Sequence, residues 1–139
     1  MGQISPGGPM TLFDLAQRGM SAQMVRMNAA ASNLANAGTV SGSEQEAYHA
    51  IRPVFAQELD RSTGLSTVNV QSVIRDNAKP TKTHNPDHPL ADADGNVWTS
   101  AIDENSEMVE MLDSARQYQN LVEALSTAKQ LMLDTMRLK

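Results

Sequence analysis

Two runs of apolar residues at helical spacing stand at opposite ends of this chain, and they constrain its fold most. In the first, Phe13, Met20, Met27 and Leu34 recur at intervals of seven, with Ala16, Met24, Ala30 and Ala31 filling the half-turns. A stripe at that period predicts a helix with a seam for another helix. Asp14, Arg18, Arg26 and Asn28 fall on the opposite face. In the second run, Met108, Met111, Ala115, Tyr118, Val122, Leu125, Met132 and Met136 alternate in steps of three and four. Lys129 interrupts this seam, where its aliphatic stem can lie along the apolar surface. Leu112, Leu121, Leu131 and Leu133 lie outside it and widen the apolar surface, which implies a further partner.

The ends of the runs carry boundary signals. Thr11 with Asp14 three residues on predicts a helix start with a capping box. Asn36-Ala37-Gly38-Thr39 predicts its end, with Gly38 as the terminating residue. About 27 helical residues make a rod of roughly 40 Å, and about 35 from Asp103 onward one of roughly 52 Å.

Between them the pattern changes. Val40 to Glu46 reads as a polar loop. Tyr48, Ile51, Val54 and Phe55 form a β-favouring run in which Pro53 demands an edge or a bulge. Thr67 to Ile74 alternates as a second strand, and Val97-Trp98 follows the Asp94-Gly95 turn as a third. The stretch between Asn77 and Asn96 carries Pro80, Pro86 and Pro89. The expected fold is therefore mainly α. Two long terminal helices, 10–37 and 103–139, pair as an antiparallel coiled-coil-like hairpin around a small β-containing insert, 38–102. Residues 1–9 form a flexible leader.

Composition narrows the function. Of 139 residues 40% are apolar but only 4% aromatic, and nine are Met, a mixture suited to adaptable helix seams. A formal charge of −5 without a Lys/Arg cluster argues against nucleic acid. No apolar run approaches the ~18 residues of a membrane span, and the start lacks the pattern of a cleaved signal. The chain has no Cys, which removes disulfides, thiol catalysis and thiolate metal sites.

His84, Asp87, His88, Asp92 and Asp94 invite a metal reading. However, Pro86 and Pro89 disfavour the helix that a His-x3-His pair requires. The Asp92-Ala93-Asp94-Gly95 run puts Gly too early for a calcium loop. A solvated turn is the expectation, with no metal and no cofactor. No nucleophile, base or phosphate-cradling motif is present, so no enzyme is expected.

The run Ala31-Ser32-Asn33-Leu34-Ala35-Asn36-Ala37-Gly38-Thr39 resembles a signature of the bacterial flagellar axial family of rod, hook and hook-associated subunits. Glu107-Met108-Val109-Glu110-Met111 with Ala115-Arg116-Gln117-Tyr118-Gln119 is similar to the family's C-terminal signature. Tyr48 to Phe55 and His88 to Val97 resemble its proximal-rod branch, whereas Asn120-Leu121 is closer to a sister rod protein. Asn96 and Ser100-Ala101-Ile102 depart from the pattern.

The resemblance implies a helical assembly of this chain with itself and other rod proteins, and export through the flagellar type III apparatus without cleavage. It also implies a place in the periplasm-spanning rod that carries torque to the hook. Its assembly surface would hold Ser32, Asn33, Leu34 and Asn36 with the seam residues Met20, Met27, Met108, Met111, Val122, Leu125 and Met132. Asn33 and Asn36 have two readings, binding a neighbour's backbone or capping their own helix. Arg116, beside Tyr118 and Gln119, either reaches a carboxylate on an adjacent subunit or pairs locally with Asp113 or Glu123. The rival class is a soluble coiled-coil adaptor or secretion chaperone, which would form stable folded dimers alone.

Overall fold

The computed structural model describes residues 11–138, and the expected leader 1–9 lies outside them. Helix α1 spans Leu12–Ala35, followed by strands β1 Val40–Ser41, β2 Ile51–Leu59, β3 Ser66–Arg75, β4 Thr81–His84 and β5 Asn96–Thr99. Helix α2 spans Glu104–Arg137. The strands make two antiparallel sheets, one ordered β1-β5-β4 and one a β2-β3 hairpin. The described residues are 45% helix and 23% strand, so the expected mainly-α class gives way to two helices flanking a β-containing region. Part of the difference comes from β1 and β4, which read as loop in sequence and become strands by pairing with either edge of β5.

The helix starts follow local chemistry. Thr11 Oγ1 accepts from Asp14 N at 3.2 Å and Asp14 Oδ2 accepts from Thr11 N at 3.0 Å, a reciprocal cap. Asp103 caps α2, accepting from the backbone N–H groups of Asn105 and Ser106 and from the Ser106 hydroxyl. Those donors, the hydroxyl first, hold its carboxyl below the usual aspartate range. The end of α1 differs from expectation. Asn36 is the C-cap with φ −104°, its side chain donating to Ser32 O at 2.8 Å, and Gly38 is not in the left-handed region. Gly95 is, at φ +76°, where a Cβ would also meet Pro86 at 2.9 Å.

The helices pack through small and polar side chains. The buried apolar set is Ala22, Ala29, Ala30, Ala37, Ala47, Ala50 and Val97, each removing little area from water. Gly19 faces Leu121, whose Cδ1 would lie 3.1 Å from an added Cβ. That close approach offsets the ~1 kcal/mol that Gly costs inside a helix. Contacts climbing α1 from Gly19 through Arg26 to Asn33 meet Leu121, then Glu110 and Asp113, then Glu107. The stripe of α2 against α1 therefore runs through Glu107, Ser114, Leu121 and Ala128. Leu121, expected outside the seam, lies within it. Among the described residues no helix is long and apolar enough to cross a membrane.

Candidate assembly interface

Asn33, in the last turn of α1 and 0% exposed, makes four side-chain hydrogen bonds. Its Nδ2 donates to Ile51 O at 3.0 Å and to Glu107 Oε2 at 3.2 Å. Its Oδ1 accepts from Ile51 N at 2.8 Å and from the Tyr48 hydroxyl at 2.9 Å. These four bonds saturate the amide. Tyr48 has spent its proton on Asn33, so Ser32 Oγ, 2.9 Å away, donates to it.

The Ile51 contact explains the strand beside it. Because the N–H and C=O of Ile51 point out to Asn33, Ile51 and its partner Arg75 do not bond each other. Two residues on, Pro53 opposite Val73 shares that orientation, so its missing N–H costs no ladder bond. The hairpin continues with a bulge at Gln71, skipped between the pairs Val54–Ser72 and Phe55–Val70.

Glu107 sits beneath Asn33 on α2 with its side chain 1% exposed. Arg52 Nη1 lies 2.6 Å from its Oε1 as an ion pair, although the geometry is not that of an aligned hydrogen bond. Arg52 thus ties β2 to the charge that Asn33 ties to α1. One helical turn or more along, Arg26 Nε reaches Glu110 at 2.8 Å and Nη2 reaches Asp113 at 3.0 Å. The Glu110 hydrogen bond, ahead of the cost of burial and the Asp113 bond, raises the guanidinium pKa above its usual value. Expected on the outer face, Arg26 is instead the clamp between the helices. Ser100 closes the other side, donating to Asn36 O at 2.7 Å and Ala37 O at 3.0 Å.

The sequence-derived interface residues divide into two groups. Ser32 and Asn33 gather at the junction of α1, α2 and β2, Asn36 bonds back to Ser32 O of its own helix, and Met20, Met27, Leu34, Met111, Tyr118 and Leu125 are half-buried. Met108, Val122 and Met132 face solvent at 42%, 43% and 53% exposure. Arg116 and Gln119 are exposed. Asp113, one of the local partners considered for Arg116, is taken by Arg26, and among the described residues no ion pair involves Arg116. Sequence reasoning missed Glu107, Arg52 and Ser100 as structural polar groups. The available signal was the seven-residue spacing of Glu107, Ser114 and Leu121. In the Asp/His loop, Asp92 Oδ1 accepts from Asp94 N and Asn96 N, and His88 Nδ1 from Leu90 N, which are turn bonds.

These elements define a helix-paired chain with a β-containing region between the helices, and comparison with known proteins names its class. Residues 13–41 match the flagella basal body rod protein family. Residues 93–138 match the C-terminal region of the flagellar basal body rod FlgEFG proteins. The flagellar basal-body rod protein FlgC of Salmonella typhimurium strain LT2 is 40% identical over 131 residues, 93% of this chain and 96% of that one. FlgC of Escherichia coli O157:H7 is 39% identical over 129 residues, again 93% and 96% of the two chains. FlgC of Aquifex aeolicus is 34% identical over 120 residues, 86% and 88% of the two. The chain belongs to the flagellar basal-body rod protein family, among its FlgC-like members. Its role is that of a structural subunit of the basal-body rod.

Proposed function

We propose that this chain polymerises helically with itself and other rod proteins into a drive shaft that carries torque from motor to hook. The terminal helices α1 and α2 act as one antiparallel coiled-coil-like hairpin lining the inner tube, with the β-containing region between them as the outward insert. The descending order of partners on α2 supports that pairing. The chain has no catalytic role, and it reaches the rod through the type III export apparatus without cleavage.

The observation that carries the reading is the apolar surface left on α2. Val109, Leu112, Leu131 and Met136 are 66%, 59%, 62% and 70% exposed. A subunit that buries mostly Ala inside itself and leaves large residues outside gains its missing burial from neighbours. Met108, Val122, Met132 and Arg116 belong to that outer surface. Asn33 and Asn36 act on assembly indirectly, by setting the angle at which the helices leave the insert. Mass spectrometry and immunogold labelling of purified basal bodies test this. The chain should be recovered from the rod segment, and its absence there would contradict the reading.

A further inference from the structure

We infer that the C-terminal end of α2 docks into a groove on a second copy of the chain, between the helix pair and the β2-β3 hairpin. This deepens the rod-subunit reading and rests on it. Helix α2 has 34 residues against 24 in α1. The start of α1, at Leu12, Leu15 and Ala16, shares a small cavity with Leu121, Ala124, Leu125 and Ala128. Residues after Ala128 therefore run past α1.

The stripe that packs on α1 does not stop there. Leu121, Leu125 and Ala128 continue in steps of three and four into Met132 and Met136, and Gln117 and Ala124 continue in sevens into Leu131 and Leu138. Leu131, Met132, Leu133, Met136 and Leu138 are 62%, 53%, 42%, 70% and 89% exposed. A stripe continuous with an α1-binding surface fits another surface like α1.

The molecule offers one. A groove of about 510 Å³ is lined by Leu15, Gly19, Ala22, Phe55, Val68 and Leu121, among others. Leu15 of α1 and Phe55 and Val68 of the hairpin give it apolar walls, and Val68 is 44% exposed. At its edge Arg26 stands with two carboxylates, Glu110 and Asp113. The overhang carries Lys129 and Arg137 with one carboxylate, Asp134, so the charges are complementary. Donor and acceptor are different surfaces, so the contact is heterologous and can repeat from copy to copy.

The absence of native Cys allows a direct test. The full chain carrying Val68→Cys and Met136→Cys is supplied to a bacterium lacking its own copy, and isolated basal bodies are mildly oxidised. A head-to-tail ladder of this chain is expected, with none from either single variant. Swimming cells whose rods give no ladder would overturn the docking while leaving the rod reading intact. Absence of the wild-type chain from basal bodies would defeat the rod reading itself. Independently, Met136→Asp should abolish rods with unchanged circular dichroism, whereas Met136→Leu should retain them; normal rods with Met136→Asp would overturn the docking. A disulfide within one chain between Ile4→Cys and Met136→Cys would assign the overhang to the leader and overturn it too.

Discussion

Asn33 faces Ile51 as a neighbouring strand would, its amide donating to Ile51 O at 3.0 Å and accepting from Ile51 N at 2.8 Å. A helix side chain thereby completes the open edge of a two-stranded sheet, which is marginal on its own in water. The same amide meets Glu107, so three elements share one buried group.

Asn33→Ala removes those bonds and leaves the Ile51 backbone and Glu107 short of partners, at a cost of about 2–4 kcal/mol. Asn33→Asp keeps the shape but sets a carboxylate oxygen against Ile51 O and Glu107, and should cost more. Urea denaturation of both variants checks the order. An Asp variant as stable as wild type would contradict the geometry.

Glu107 and Arg52 form a pair with one fully buried member. Glu107→Ala leaves Asn33 and Arg52 without it, a loss of about 3–5 kcal/mol, the range for breaking a buried pair. Arg52 is 43% exposed and reaches water, so Arg52→Ala should fall short of that. A double-mutant cycle measures the coupling, and an energy near zero would show that the contact is incidental.

The two helix arginines should behave differently. Arg26, with a 20% exposed side chain, holds two carboxylates, whereas Arg18 meets Glu58 at the surface with both side chains over a third exposed. Arg26→Ala is expected to cost about 2–3 kcal/mol through two charge-assisted bonds. Arg18→Ala is expected to cost under about 1 kcal/mol and to lose that effect in high salt. Thermal melts at two salt concentrations compare them.

The start of α1, the two strand runs that become β2 and β3, and the Asp94-Gly95 turn were legible in the sequence, because each rests on local chemistry; the pairing of the two strands was not. Thr11 with Asp14 and the alternation through Val68 and Val70 need no distant partner. The register of the helix pair was not. Apolar periodicity selects Met108 and Val122, but the packed positions belong to Glu107 and Leu121, with Ser114 between them. A buried carboxylate and a buried hydroxyl leave no apolar trace, and Asn33 reads as a cap until Ile51 is seen beside it. Strands β1 and β4 were hidden for the same reason, since only pairing with β5 makes them strands.

Acid should loosen the start of α2. The Asp103 carboxyl is held low by the Ser106 hydroxyl and then by backbone N–H groups. A depressed carboxyl contributes stability that is present above the ordinary aspartate value of about 3.9 and is lost as pH falls through the lower folded value. Amide exchange at Asn105, Ser106 and Glu107 should accelerate over that window. Asp103→Asn should retain a cap at neutral pH and flatten the dependence.

The central claim is that this chain is a structural part of the rod, and imaging basal bodies by cryo-tomography after deleting its gene tests it most directly. The account predicts membrane rings without rod or hook, restored by the wild-type chain. Normal rods and normal swimming in the deletion strain would contradict it.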